Sequence, residues 1–202
     1  MNVKFFDLKK EKQDRMINGA LKVFALNGYQ KASTDDIVKE AGISKGLLFH
    51  YFGSKAGVYT FMYEYSARYM TMELSRAVNY RETDLFVLMK QIEDAKAVLL
   101  RNYPYMQNFL LTHDTVMDEE ILADIAEHVE SVPRTLDEIM ERVDASEIAD
   151  GVDLDLLIRS MNYFTRGLTE IAIAKDMDPD EVQAEAHAYF DMMSKRFKKD
   201  AW

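Results

Sequence analysis

The chain has 202 residues, no Cys, three Pro, eight Gly and a formal net charge of −10. The lack of Cys excludes a disulfide framework and a thiolate metal site and suits a reducing cytoplasm. No stretch nears the roughly 18 apolar residues of a membrane span, and the opening MNVKFFDLKKEKQDR lacks the apolar run of a signal peptide. Scarce Gly and Pro ask for long helices and few loops. The acidity is unevenly spread: residues 1–57 carry ten Lys/Arg against six Asp/Glu, a net of +4, and the remainder carries −14. A basic head on an acidic body suits contact with a polyanion at one end only.

The first predicted helix runs from Lys9 to Asn27, with Ile17, Ala20, Leu21 and Phe24 on one face. Asn27-Gly28 ends it. Lys9, Lys10 and Lys12 precede that face, as a solvated run or as phosphate contacts. Next comes TDDIVKEAGISKGLLFHYFGSK, residues 34–55, which reads as two short helices and a tight turn. Ser33 or Thr34 caps the first, with Asp36 completing an S-x-x-D box. Ile37, Val38 and Ala41 form its apolar stripe. Gly42 stands where the chain needs a positive φ, and Ile43 plugs the turn into the core. Ser44 caps the second helix, Lys45 to Phe52. This is the layout of a helix-turn-helix.

The second helix of the pair holds the chemistry. Its N-terminus offers unpaired N–H groups to a phosphate, and Lys45 adds a full charge there. Gly46 lets the backbone approach a base edge. If Leu48 and Phe52 face the core, Leu47 faces outward, where it can touch a thymine methyl. His50 and Tyr51 carry polar tips that donate to phosphate oxygens. Ser54 caps the following helix, and Lys55 lies in its first turn, a place that asks for an anion nearby.

From Lys55 a long helix reaches about Val78, with Val58, Phe61, Met62, Tyr65, Tyr69 and Met72 at helical spacing. With no Pro/Gly-rich linker, it joins head to body rigidly. Asn79 to Thr83 is a polar break. A helix over Asp84 to Asn102 follows, then Pro104, then a short helix over Tyr105 to Thr112. Asp118 to Val143 is helical in pattern, and Pro133 inside it predicts a kink or a split. Ala149 to Gly151 is a loop. Leu154 to Ile171 marks one further helix. Asp178-Pro179 opens the last, an N-cap followed by Pro at the first helical position. The sum is about nine helices and no strand, an all-α fold.

The body is rich in soft and flat side chains. Tyr65, Tyr69, Met72, Phe86, Met89 and Tyr103, with Met106, Phe109, Met140 and Tyr163, lie on several helices. They suit an irregular apolar ligand, and each taken alone also suits plain core packing. His113 and Arg166 are candidates to orient a ligand's polar group. No Gly-rich phosphate loop, G-x-S-x-G or H-E-x-x-H occurs. His113, Asp114 and His128 are not spaced to share one helix face. No catalytic residue, metal or cofactor is therefore expected.

ISKGLLFHYFGSK resembles the signature of the tetracycline-repressor (TetR/AcrR) family, whose usual pattern is close to S-K-G-T-L-Y-H-Y-F-x-S-K. TDDIVKEAG resembles that family's second helix. The likeness covers roughly residues 10–60; beyond it only length and helical pattern agree. It implies an all-helical homodimer in the cytoplasm, with a DNA-binding domain over 1–56 and a ligand-binding and dimerisation domain over 57–202. Such a protein reads a palindromic operator and leaves it when a small, largely apolar effector binds. The implied DNA contacts are Ser33, Thr34, Ser44, Lys45, Gly46, Leu47, Phe49, His50, Tyr51 and Lys55. The implied dimer face draws on Phe164, Leu168, Ile171, Tyr189, Phe190, Met193 and Phe197, some of which must face the protein's own core. Two departures bear on the operator sequence. Leu47 stands where the family often has Thr or Ser, and Phe49 where it often has Tyr; each replaces a hydroxyl with apolar contact.

Overall fold

The computed structural model describes residues 3–199. Among them are nine α-helices: α1 Lys10–Lys31, α2 Thr34–Ala41, α3 Lys45–Phe52, α4 Lys55–Ala77, α5 Leu85–Asn102, α6 Met106–Leu110, α7 Glu119–Met140, α8 Leu154–Lys175 and α9 Pro179–Phe197. Three short 3₁₀ turns, Val3–Asp7, Leu111–Thr115 and Ala145–Glu147, complete the regular structure. No strand occurs among the described residues, only an isolated bridge between Ile148 and Lys198. The fold is all-α.

Side-chain caps set most of the starts. Ser33, not Thr34, caps α2: its Oγ accepts from the Asp36 N–H at 3.1 Å and donates to the Asp36 carboxylate at 2.5 Å. Ser44 caps α3 through the Leu47 N–H at 3.2 Å, and Ser54 caps α4 through the Gly57 N–H at 3.0 Å. Asp84 accepts from Phe86 and Val87 at the head of α5, and Asp178 from Asp180 at the head of α9. Each such cap contributes about 1 kcal/mol by satisfying a donor the helix cannot.

Two expectations need correction. The first helix does not stop at Asn27. Gly28 leaves helical geometry, at φ 67° and ψ 170°, and a last turn then resumes to Lys31. Nor does Pro133 split its helix, since α7 continues through it. Pro133 lies on the exposed side, where water can take the carbonyl that proline leaves without a partner.

The chain divides into two compact units, Met1–Thr71 with Asn102–Pro133, and Met72–Arg101 with Arg134–Trp202. Most of α4, as far as Thr71, packs with α1 to α3, together with α6 and α7 as far as Pro133. The reason is a shared aromatic core in the first unit. Phe24 meets Tyr59 at 5.1 Å between ring centroids, and Tyr59 meets Phe109 at 5.2 Å. Tyr59 and Phe109 are fully buried, each ring worth roughly 1.5–3 kcal/mol of transfer out of water. In the second unit, Phe190 of α9 is fully buried, with Leu168, Ala172, Val182 and Ala186 also in the core. The C-terminal end of α9 is tied down by the Ala149 N–H on the Phe197 carbonyl at 2.8 Å and the Lys199 N–H on the Glu147 carbonyl at 2.7 Å.

Candidate nucleic-acid interface

The helix-turn-helix is positioned by α1. Gly19 of α1 faces Ala41 of α2 so closely that a Cβ there would lie 2.8 Å from the Ala41 nitrogen. Gly42 follows at φ 61°, ψ 43°, the left-handed cap. The Gly42 N–H reaches the Lys39 carbonyl at 3.3 Å, and the Ile43 N–H reaches that of Val38 at 3.0 Å. This turn delivers α3 with Leu48 and Phe52 buried. Lys45, Gly46, Phe49 and His50 are left exposed, with Leu47, Ile43 and Tyr51 half-buried. A Cβ on Gly46 would meet nothing within 4 Å. The outward side of α3 is therefore open, with its capped and positive end free to approach a groove.

Lys45 is held by the Asp35 carboxylate at 2.8 and 3.1 Å. Both side chains are more than half exposed. Such a pair contributes at most about 1 kcal/mol, so a phosphate can displace Asp35 from it. Lys55 differs. Its ammonium donates to the main-chain carbonyls of Tyr29 at 2.8 Å and Ala32 at 3.1 Å, and it sits 4.4 Å from the centroid of the Tyr29 ring. The anion this lysine called for is the negative end of α1. That corrects the reason for its placement and takes Lys55 out of the open cationic set. Lys10 is likewise engaged, with Asp14 and with the Tyr103 hydroxyl at 2.9 Å.

One contributor escaped sequence reasoning. Phe5, in the Val3–Asp7 turn, is fully buried. Its ring meets Phe52 at 5.4 Å, Tyr51 at 5.9 Å and Phe61 at 5.0 Å. It forms the floor beneath the end of α3. The signal was the Phe5-Phe6 pair standing alone in a polar stretch.

The ligand candidates divide between the two units. In the first, the Tyr65 and Tyr103 hydroxyls meet at 2.9 Å, Tyr103 donates to Asp14 at 2.8 Å, and Asn102 donates to the Tyr69 hydroxyl at 3.1 Å. Burial pushes the Tyr65 and Tyr103 hydroxyls well up, so both stay neutral. Met106 and Phe109 are core residues. His113 has Nδ1 beside the Tyr63 hydroxyl at 3.1 Å and Nε2 beside Asp114 at 3.1 Å. In the second unit Phe86 and Met89 are buried and Met140 half-buried. Met72, Tyr163 and Arg166 are not pocket walls within the chain: Tyr163 is 71% exposed, Met72 is exposed, and Arg166 pairs on the surface with Glu170. The α8 stripe that holds Tyr163 and Arg166 faces solvent, opposite the face that packs on the chain's own core.

The dimer candidates separate as well. Leu168 and Phe190 belong to the chain's own core. Phe164 and Tyr189 stack at 3.8 Å and are half-buried, as are Met193 and Phe197. Ile171 is 48% exposed, and Leu156 and Met192, which sequence reading missed, are exposed too. No group of three or more metal-binding side chains occurs among the described residues, and no described helix is long and apolar enough to cross a membrane.

A capped helix-turn-helix whose second helix is open along one side and cationic at its start is the architecture of a DNA-binding transcriptional regulator. Residues 16–60 match the family model of the bacterial regulatory proteins, tetR family. The chain is 39% identical over 72 residues to the HTH-type transcriptional regulator YuxN of Bacillus subtilis, a match spanning 36% of this chain and 24% of that protein. It is 26% identical over 166 residues to the biofilm operon icaADBC negative transcriptional regulator IcaR of Staphylococcus epidermidis, covering 78% of this chain and 85% of that one. In fold it is similar to the transcriptional regulator FadR from Bacillus subtilis, solved in complex with stearoyl-CoA, with a TM-score of 0.57, 20% identity and coverage of 87% and 96%. The DNA-binding segment, residues 16–60, is thus that of the TetR family of bacterial regulatory proteins. That family is one of regulators, not enzymes.

Proposed function

We propose that the chain is a ligand-responsive transcriptional repressor of the cytoplasm, a homodimer that grips a palindromic operator and releases it when a small, largely apolar effector binds. The observation that carries the reading is the exposure of Lys45, Gly46, Phe49 and His50 on a capped helix. Residues 1–56 are the DNA-binding domain, and residues 57–202 hold the effector and the dimer partner. Ser44, Lys45, Gly46, Leu47, Phe49, His50 and Tyr51 meet the duplex, with Ser33 and Thr34 at its edge. The repressor role is supported by IcaR, named a negative regulator, and the apolar effector by the stearoyl-CoA held by FadR.

The test is fluorescence anisotropy on a duplex selected from a random pool. Lys45, His50 and Tyr51 of both copies, about six phosphate contacts, predict a fall of about 10³ in affinity between about 50 and 200 mM salt. Lys45→Ala weakens all sequences and lowers the salt slope by about one. Leu47→Thr changes the preferred sequence, because the contact it alters is to a base edge. Weak, salt-insensitive binding contradicts the proposal.

A further inference from the structure

A recess of about 290 Å³ lies within the first unit, beside the end of the recognition helix. Tyr51 and Phe52 of α3 and Thr60, Phe61 and Glu64 of α4 line it, and Asp124 and His128 of α7 close it. Its volume is at the lower end for small-molecule sites. Two features set its chemistry. First, it has an aromatic side: Phe52 and Phe61 meet at 5.0 Å and Tyr51 and Phe52 at 6.4 Å, with Phe5 sealed behind them. Second, two carboxylates, Glu64 and Asp124, also line it, with His128 and with no Lys or Arg. Duplex DNA has no reason to enter it.

We propose that this recess is a second ligand site, for a small organic cation: a protonated amine whose charge meets Asp124 and Glu64 and whose apolar part lies against Phe52, Phe61 and Tyr51. Aromatic faces attract a cation most strongly when it is shielded from water, and the carboxylates supply the opposite charge. Glu64 also pairs with Arg68 at 2.9 Å, with Arg68 largely exposed. An incoming ammonium group competes with Arg68 for that carboxylate. The occupant touches Tyr51 and Phe52, the last turn of the recognition helix, so this site reports directly to that helix. It is separate from the effector site proposed in the body.

The test uses the full chain without DNA, so its outcome does not depend on operator recognition. Benzylammonium, benzyl alcohol and benzoate are titrated by calorimetry while the Thr60 methyl resonance is followed by NMR. The expected result is binding of benzylammonium at least about tenfold tighter than the alcohol, no binding of benzoate, and a shift of the Thr60 methyl. Asp124→Asn, at a surface residue, weakens benzylammonium by about tenfold while the melting curve is kept, and the double variant with Glu64→Gln weakens it further. Equal binding of alcohol and ammonium, an unmoved Thr60 methyl, unchanged affinity in the double variant, or no binding in the millimolar range each overturns the proposal.

Discussion

The Lys55 ammonium lies 2.8 Å from the Tyr29 carbonyl oxygen and 4.4 Å from the centroid of the same residue's ring. One side chain thus places a full positive charge where α1 ends and α4 begins. The carbonyls at the end of α1 lack intrahelical partners, and the lysine supplies donors for two of them, those of Tyr29 and Ala32. The cost of a cation at the start of α4 is offset by the negative end of α1.

Replacing Lys55 with Met therefore lowers folding stability by about 1–2 kcal/mol, through lost charge-assisted hydrogen bonds and ring contact. Urea denaturation of wild type and variant measures it. An unchanged midpoint, with DNA affinity reduced, returns Lys55 to the role of a phosphate contact.

Gly19→Ala is a second test, because two effects oppose each other. Alanine in mid-helix gains about 1 kcal/mol of propensity. Its Cβ, however, meets the Ala41 backbone at 2.8 Å, and backbone cannot rotate away as a side chain can. Overpacking wins by about 1–3 kcal/mol. Far-UV circular dichroism in urea shows a net loss, with DNA binding impaired as α2 is pushed from α1. Stabilisation by the substitution contradicts the close crossing.

The second unit carries a pH-dependent tether. Lys198 bonds to Asp84 and lies 3.0 Å from Glu147. Burial pushes the Asp84 carboxyl up, but the bonds from Lys198 and from the Val87 and Phe86 N–H groups outweigh it, and the group ends below its ordinary 3.8. The hydrogen bonds to Asp84 and Glu147 raise Lys198 from 10.5 to about 12. A lowered acid contributes stability above its unfolded value, lost as pH falls through the folded one; a raised base contributes below its unfolded value, lost as pH rises through the folded one. The tether is thus intact between pH 3.8 and 10.5 and fails below the first and towards 12. Lys198→Met flattens both edges of the stability curve, as thermal melts across pH reveal.

Leu156, Tyr163 and Ile171 lie on the exposed side of α8, at spacings that keep them on one stripe. If that stripe meets a second copy, Tyr163→Lys with Ile171→Lys yields a monomer with an unchanged circular dichroism spectrum. Light scattering after gel filtration gives the mass. Phe190→Ala is the contrast: it sits in the chain's own core and costs about 3–5 kcal/mol of folding. A double Lys variant that remains dimeric removes α8 from the interface.

What the residues determined by themselves was local. The caps at Ser44, Ser54 and Asp178, the left-handed turn at Gly42 and the run from Lys45 to Phe52 all appear where the pattern put them. Each depends on a side chain bonding to backbone a few residues away, or on the φ that one residue tolerates. Tertiary structure alone decided what depends on distant neighbours. Helical periodicity marks an apolar residue but not which partner it meets, so Phe190 fell to the chain's own core and Tyr163 to its surface. The same holds for charge: Lys55 could be read as waiting for a phosphate until folding brought it against the Tyr29 carbonyl, 26 residues away in sequence. A long-range contact of that kind leaves no periodic trace in the chain.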